Sequence, residues 1–312
     1  MASTTPVSPT AAETSLRDGL IAGVGAYTLW GFLPLLFRWL DGVPAPTIVA
    51  DRTLWSLLLV GFILLVFGRT GEIRAALRDA RAVRAMGLAA ALLGTNWLIY
   101  VYAVETEQVL EASFGYFINP MMNVAIGMAF LGERLNRWQA VAIAIASVAI
   151  GIQAIGLGGV PYIALSLALT FATYGYMRKT ARASSATGHF VETLLLAPVA
   201  VVYLLFTFWR DGGLGPHGDP ATLGLLMLTG PGTAFPLLLF AFAVQRLRLT
   251  TIGMLQYIGP SLQFVIAIVV FGEHLNGLRL LSFALIWVSL AIYTVDSMAR
   301  RRAARLQEPL KL

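Results

Sequence analysis

Cysteine is absent from the 312 residues of this chain, and charged side chains make up only 12% of it. Without cysteine there is no disulfide framework and no thiolate chemistry. The three histidines, His189, His217 and His274, are predicted to lie in or beside loops. The sequence therefore indicates no metal site, no cofactor and no intramembrane enzyme. Neither of the two lysines follows the glycine-rich pattern that binds ATP, which argues against an ATP-driven pump.

Hydrophobic residues, by contrast, account for 58% of the chain, whereas an ordinary soluble domain is roughly 45 to 50% apolar. They occur in blocks long enough to cross a hydrocarbon layer of ~30 Å as helices. We therefore predict an all-α integral membrane protein whose partners are the lipid bilayer and a small-molecule substrate. The net charge of +6 does not indicate a nucleic-acid partner, because the basic residues lie in short loops where membrane topology explains them. A homodimer stays an open alternative.

Hydropathy windows of about 19 residues predict ten membrane-spanning helices. They cover residues 20–37, 47–67, 86–104, 109–131, 138–157, 161–177, 190–208, 222–244, 250–271 and 278–295. Each is expected to be helical, since lipid offers no partner for an exposed backbone amide. Residues 1–18 are rich in Ser, Thr, Ala and Pro and are predicted to be a disordered tail, and residues 298–312 form a basic tail.

The basic residues orient these helices. Ten spans place both termini on one side of the membrane, and the arginine-rich C-terminal tail marks that side as cytoplasmic. The outer side then keeps only Arg38, Arg52, Arg210 and Arg279, so that 18 of the 22 basic residues lie inside. We predict a multi-pass protein of the bacterial inner membrane with both termini in the cytoplasm.

The chain repeats itself at a distance of 140 residues. This shift aligns residues 117–120 with 257–260 and residues 132–136 with 272–276, without a gap between the two matches. The repeats are predicted to cover residues 19–157 and 158–297. Five spans is an odd number, so the second repeat enters the membrane from the opposite face, as in the inverted repeats of many secondary transporters.

Two similar halves in opposite orientation can exchange shapes and expose a midplane site to each side in turn. The sequence therefore predicts a secondary active transporter of small metabolites or drug-like solutes, with export as the expected direction. A membrane channel, or a membrane scaffold or sensor that transports nothing, is the alternative.

The run Leu110–Pro120, followed by Phe130–Arg134, resembles the RarD branch of the EamA transporters in the drug/metabolite transporter superfamily. Similar patterns stand at residues 94–97, 192–193, 198–200, 246–250 and 256–260. The resemblance covers residues 19–297. It implies ten helices in two EamA repeats, with a central cavity formed by the first four helices of each repeat and a peripheral fifth helix. Members often have His-Arg near the start of the second helix, where this chain has Asp51-Arg52.

A polar row runs along the fourth predicted span. Asn119 and Asn123 are four residues apart, and Glu111 extends the same face toward the start of the helix. Polar side chains in a membrane face protein or water. Pro120, and Pro260 at the equivalent place in the ninth span, predict paired helix breaks beside a cavity near the midplane. Alternatively, the asparagine amides bond one helix to another.

The other candidates for a substrate cavity are polar and aromatic side chains, several of which share a helix face. The full set is Trp30, Arg52, Asn96, Tyr100, Tyr116, Asn119, Asn123, Tyr174, Gln256, Tyr257 and Gln263. Such side chains suit an uncharged or amphipathic solute. Interfacial belts and ordinary packing are the alternative for the aromatic members.

Charged residues inside the spans have their own interpretations. Arg52 attracts an anionic group or snorkels to the outer surface. Glu111 and Glu192 are candidates for proton coupling, because a carboxyl group in a low dielectric can exchange a proton near neutral pH; the alternative is that both are solvated at helix ends. Glu133 and Glu273 precede the fifth and tenth spans, where a carboxylate favours the positive start of a helix.

The predicted topology is testable with single cysteines, because the chain has none of its own. A cysteine in place of Ala75 or Arg305 should resist a membrane-impermeant maleimide in intact cells and react after the cells are opened. A cysteine in place of Thr106, in a predicted outer loop, is the control and should react in intact cells. Labelling at position 75 or 305 in intact cells would contradict the orientation.

Overall fold

The computed structural model describes residues 11–131, 136–180, 184–247 and 255–307. Its helices are α1 Ala11–Trp39, α2 Ala45–Val66, α3 Thr70–Arg78, α4 Ala80–Glu105, α5 Val109–Leu131, α6 Arg137–Leu157, α7 Tyr162–Thr180, α8 Ser185–Asp211, α9 Pro220–Arg246, α10 Ile258–Val269 and α11 Gly277–Gln307. A short 3-10 helix, Gly215–Gly218, precedes α9. These ranges contain no strand, which confirms the all-α prediction.

Seven of the described helices are long and apolar enough to cross a membrane. Their apolar parts are Ser15–Trp39, Ala45–Val66, Ala80–Glu105, Arg137–Leu157, Ala186–Asp211, Pro220–Phe240 and Gly277–Asp296. Large apolar side chains such as Phe67 and Trp209 point outward and are more than two-thirds exposed, at 73% and 79%. Apolar surface of this extent is unfavourable in water and favourable in lipid. The chain is therefore a multi-pass membrane protein.

Local chemistry sets where several helices begin and end. Asn136 opens α6 with a capping box, in which its side chain accepts from the Gln139 amide while the Gln139 side chain accepts from the Asn136 amide. The same helix ends at Gly158, whose φ of 70° is the left-handed conformation that glycine adopts without strain. Asp79 caps α4 by accepting from the amides of Arg81 and Ala82.

The helices pack in pairs that join distant parts of the chain. α6 packs chiefly on α11, α1 on α9 and α10, α5 on α7 and α10, α2 on α8 and α9, and α4 on α7 and α8. Phe114, Phe117 and Phe283, where α5 meets α11, are among the largest fully buried side chains. The Phe114 and Phe283 rings meet edge to face with centroids 5.1 Å apart, a favourable aromatic geometry.

The structure differs from the predicted helices at three places. α1 begins at Ala11, so part of the tail 1–18 that was predicted to be disordered is helical. α5 runs unbroken through Pro120, because one proline removes a single amide donor and bends a well-packed helix without ending it. Pro260 stands in the first turn of α10, after a turn at residues 256–257; there its missing amide costs little. The predicted pair of midplane breaks is therefore wrong for α5.

Helices α5 and α7 approach closely at Gly115. A Cβ atom added there would lie 2.6 Å from the carbonyl oxygen of Ala164, well inside van der Waals contact. Gly115→Ala should therefore force the helices apart and destabilise the protein by about 1 to 3 kcal/mol. Gly175→Ala on α7, where nothing lies within 4 Å, is the matched control and should be neutral or slightly stabilising.

The measurement is the melting temperature of each purified variant in detergent, followed by tryptophan fluorescence. An equal melting temperature for the two variants would contradict the close contact between α5 and α7.

Candidate functional site

Arg52 lies in the second turn of α2 and is buried, with 4% of its surface exposed. Its Nε donates to the Thr233 hydroxyl of α9 at 2.5 Å. The guanidinium carbon lies 4.3 Å from the ring centroid of Trp97 on α4 and 5.6 Å from that of Phe37 on α1, within the range of a cation–π contact. Four helices thus enclose the side chain, and the prediction that it snorkels to the outer surface is wrong.

The neighbouring carboxylate does not neutralise this cation. Asp51 shares a hydrogen bond of 2.8 Å with the His217 ring and accepts another from Trp55 at 3.3 Å. Among the residues that the structure describes, Arg52 forms no ion pair, and its buried Nη1 has no hydrogen-bond partner. A buried charge without a partner is costly, so Arg52 is a candidate for the functional site.

Aromatic and polar side chains of α4 and α5 continue from Arg52. The Tyr100 ring packs against Tyr116 at 5.7 Å, and the buried Tyr100 hydroxyl has no partner within the described ranges. The Tyr116 hydroxyl donates to Asn96 Oδ1 at 3.4 Å. Asn96 in turn donates to Thr170 and to a main-chain carbonyl of α7. Three predicted residues therefore come together here, and the Asn96 amide also joins two helices.

The same row of side chains ends at a buried ion pair. The Phe171 ring lies 6.0 Å from Tyr116 and 6.1 Å from Tyr174. The Tyr174 hydroxyl donates to Glu192 at 3.1 Å, and Arg178 approaches the other carboxylate oxygen at 3.3 Å. Glu192 is completely buried, so its predicted solvation at a helix end is wrong. Contacting side chains thus connect the unpaired guanidinium to the buried carboxyl group.

His189 is a candidate site residue that the sequence-based prediction missed. It was placed beside a loop, but α8 begins at Ser185, so His189 lies inside the helix and is 4% exposed. Its Nε2 shares a hydrogen bond of 2.8 Å with Ser56 on α2, and its ring lies 6.0 Å from that of Trp97. The signal was present in the helical spacing of His189 and Glu192, which places both on one face.

Trp30, Tyr257 and Gln263 form a second group at α1, α5 and α10. Gln263 donates to the main-chain oxygen of Trp30 at 3.3 Å, while its own side-chain oxygen is buried without a partner in the described structure. Tyr257 stacks on Phe117 with ring planes 20° apart. These contacts join α10 and the turn before it to α1 and α5.

The remaining amide candidates are less closely engaged. Asn119 is 8% exposed, and its side-chain oxygen has no hydrogen-bond partner within the described ranges. Gln256 lies in the turn that precedes α10 and is partly exposed. Asn123 belongs to α5, but its side chain is outside the described residues. The convergence of these amides with Asn96 on one cavity stays a prediction.

Two carboxyl groups away from this row of side chains accept hydrogen bonds from the main-chain amides at the starts of helices. Glu111 accepts from the amides of Ile163 and Ala164 at the start of α7, at 2.9 and 3.3 Å. Glu273 accepts from Val109 and Leu110 at the start of α5, at 2.6 and 3.0 Å.

Glu273 was predicted to favour the start of the helix that follows it, α11. It caps α5 instead, because the fold brings the start of α5 to the loop that carries Glu273. Glu111 is 3% exposed, so its predicted solvation is also wrong. Glu133 lies outside the described residues.

Known proteins resemble this chain along almost its full length. Residues 17–154 match the EamA-like transporter family. The RarD protein of Streptomyces exfoliatus is 42% identical over 299 residues, covering 95% of each chain. The RarD protein of Escherichia coli is 38% identical over 288 residues, covering 92% of this chain and 97% of that one. The uncharacterized transporter YojE of Bacillus subtilis is 37% identical over 300 residues, covering 94% and 98%.

A solved structure shares the fold, with a TM-score of 0.59 at 17% identity over 89% of this chain and 97% of that chain. The apolar helices and these relatives define a membrane transporter of the EamA type. Within that class, the chain belongs to the RarD family.

The Glu273 contact predicts a pH dependence of stability. Burial raises the pKa of Glu273 from 4.5 to about 7, against the opposing effect of the two amides that it accepts from. Between these values the folded protein keeps a proton that the unfolded chain has released. The stability contributed by this group is therefore present below about pH 4.5 and lost as the pH rises through 7. Glu107 and Arg279 also face the Glu273 carboxyl group, and the variant proposed below leaves both unchanged.

Glu273→Gln should flatten the fall in melting temperature between pH 4.5 and 7.5 that the unmodified protein shows. Glu72→Gln is the control, because Arg69 and Thr187 lower the pKa of the Glu72 carboxyl to about 2. Glu72 therefore stays ionised in the folded protein throughout this range, and its contribution to stability falls only toward the acid end. A wild-type slope in the Glu273 variant would rule out this titration.

Proposed function

We propose that this chain is a secondary active transporter, and neither an enzyme nor a channel, that moves small metabolites or drug-like solutes across the bacterial inner membrane by alternating access. Export is the proposed direction, with both termini in the cytoplasm. The transport unit is two inverted repeats of five membrane helices, α1, α2, α4, α5 and α6 followed by α7 to α11. The short helix α3 has no buried residue and lies outside this count.

Two contacts between α6 and α11 support the inverted repeat. Asn136 donates to Asp296 at 2.8 Å, and Asn276 donates to the main-chain oxygen of Gly156 at 3.0 Å. The 140-residue shift converts one contact into the other, because it takes 136 to 276 and 156 to 296. Reciprocal contacts of this kind are what a two-fold axis produces. They stand at opposite ends of an antiparallel pair, so the axis is perpendicular to the helices and parallel to the membrane.

Helix packing elsewhere follows the same symmetry. α1 on α9 corresponds to α7 on α4, and α5 on α7 corresponds to α10 on α1. The symmetry pairs α2 with α8 across the axis, and these helices contact each other directly. Each repeat therefore contributes equivalent surfaces to the interface, which is the arrangement in which two halves can exchange conformations.

The observation that carries the proposal is the connected row of side chains from Arg52 to Glu192. It draws on helices of both repeats and holds an unpaired cation at one end and a buried carboxyl group at the other. A substrate site between the repeats, coupled to a group that exchanges protons, is what alternating access requires. Protonation of Glu192 would release Arg178 and loosen α7 from α8.

Flux measurements test the transport function. Purified protein in liposomes, with an imposed pH gradient, should carry one or more members of a panel of radiolabelled amino acids, aromatic acids and neutral drugs. The flux should saturate with concentration, as expected for a carrier. Flux that stays proportional to concentration would indicate a channel, and protein-free rates for every solute would indicate a scaffold or sensor.

Glu192→Gln should abolish the effect of the pH gradient on uptake while solute exchange continues, because the variant keeps the size of the side chain and cannot release a proton. Glu111→Gln is the matched control. Since Glu111 caps α7, its replacement should lower the melting temperature and leave the pH effect intact. Gradient-driven uptake by the Glu192 variant at the wild-type rate would exclude this residue from coupling.

A further inference from the structure

We infer that the solute carries an anionic oxygen group, of the carboxylate or phosphonate type, that binds the unpaired edge of Arg52 while the rest of the solute is apolar and packs among aromatic rings. The inference rests on the proposed transport function and names the class of its substrate. The sequence indicated an uncharged or an amphipathic solute, and of these two classes the inference selects an amphipathic one.

The buried carboxyl groups of the described structure are all engaged elsewhere. Asp51 is held by His217 and Trp55, Glu192 by Arg178 and Tyr174, and Glu111 by two amides of α7. None of these interactions involves the Arg52 guanidinium. Within the described residues, the positive charge at Arg52 is thus balanced only by the faces of aromatic rings, which stabilise a cation less than an anion does.

The guanidinium is held in a way that leaves the hydrogens of Nη1 unused. Thr233 accepts from Nε and donates its own hydrogen to the carbonyl of Thr229 at 2.9 Å, so its hydroxyl has no hydrogen left to donate. The Trp97 ring covers one face of the guanidinium at 4.3 Å. Nη1 is buried and has no partner among the described residues.

A second unused donor belongs to a residue that packs against the same ring as Arg52. The Tyr100 hydroxyl is buried and has no partner in the described ranges, and both Tyr100 and Arg52 lie against the Phe37 ring, at 6.0 and 5.6 Å. One anionic group with two oxygens would accept from Nη1 and from the Tyr100 hydroxyl together. The neighbouring Trp97 and Tyr116 rings then suit an apolar or aromatic body, as in many small-molecule sites.

Binding of an anion would also favour the conformational cycle. Arg52 by itself contributes a positive charge inside the bundle, and a bound anion would neutralise that charge. When the site is neutral, the change between its inward-facing and outward-facing states moves no net charge through the membrane potential.

Matched probes test the inference on the purified full-length protein in detergent. The probes are benzoate, phenylphosphonate, benzamide, benzylammonium and chloride, and the readouts are quenching of tryptophan fluorescence and the melting temperature. Benzoate or phenylphosphonate should bind saturably, and comparison of the two separates carboxylate from phosphonate-type recognition. Benzamide and benzylammonium, which share the ring without the anion, should bind at least tenfold more weakly.

Arg52→Gln should weaken benzoate or phenylphosphonate binding by about ten- to hundredfold, the range for a charge-assisted hydrogen bond. Arg38→Gln is the matched control, because Arg38 is exposed and already paired with Glu107 at 2.9 Å; it should bind as the wild type does. If the Arg52 variant does not fold, Tyr100→Phe removes only the hydroxyl and should weaken anion binding several-fold while benzamide is unaffected.

Equal binding of benzoate, phenylphosphonate and benzamide, or anion binding unchanged in the Arg52 variant, would overturn the inference. Complete displacement of benzoate or phenylphosphonate by millimolar chloride would also overturn the inference, because the site would then bind an inorganic ion. Arg52-dependent anion binding without saturable flux in liposomes would leave the inference standing and refute transport. Saturable flux of neutral solutes that the anions do not affect would support transport and refute the inference of an anionic solute.

Discussion

A buried ionised side chain loses the water that stabilises it, and inside a membrane bundle the protein alone can replace that water. Asp51 finds a histidine and an indole N–H, Glu111 finds two amides at a helix start, and Glu192 finds an arginine and a phenol. Apart from the indole, each of these partners lies on another helix or connection, so the need to pair charges determines which helices meet.

Arg52 stands apart because its only hydrogen-bond acceptor within the described structure is the Thr233 hydroxyl. The Phe37 and Trp97 rings and the Thr233 hydroxyl hold the guanidinium in place. A site of this kind is preorganised, since the entropic cost of ordering the arginine is met by packing before any ligand arrives. The same packing would explain why the cation is tolerated without a counter-ion.

Helix capping by distant carboxyl groups is a second consequence of charge burial. Glu273 accepts from the start of α5, and Glu111 on α5 accepts from the start of α7. Arg279 lies near both carboxyl groups and lines a cavity of about 340 Å³ with them. Each bond joins a carboxyl group to the positive end of a helix.

Some local predictions failed for related reasons. Pro120 signalled a break, but the packing of α5 on α7 and α10 keeps the helix continuous. His189 appeared to lie at a loop because hydropathy underestimates how far a helix extends beyond its apolar part, and the α8 start at Ser185 brings the ring into the bundle. Glu273 was assigned to the helix that follows it, whereas the nearest unpaired amides belong to α5. In each case a neighbour far away in the sequence decided the outcome.

The sequence by itself determined that this is an all-helical membrane protein of the RarD family, where most of its apolar helices lie, and which polar residues share a helix face. These properties depend on hydropathy and spacing along one segment at a time, and both can be read from a single chain. Only the tertiary structure decided that Arg52 has no carboxylate partner among the described residues, because its neighbours Phe37, Trp97 and Thr233 come from three other helices. Helical periodicity tells which side chains share a face, but it does not tell which distant helix will cover that face or whether it will bring a counter-charge.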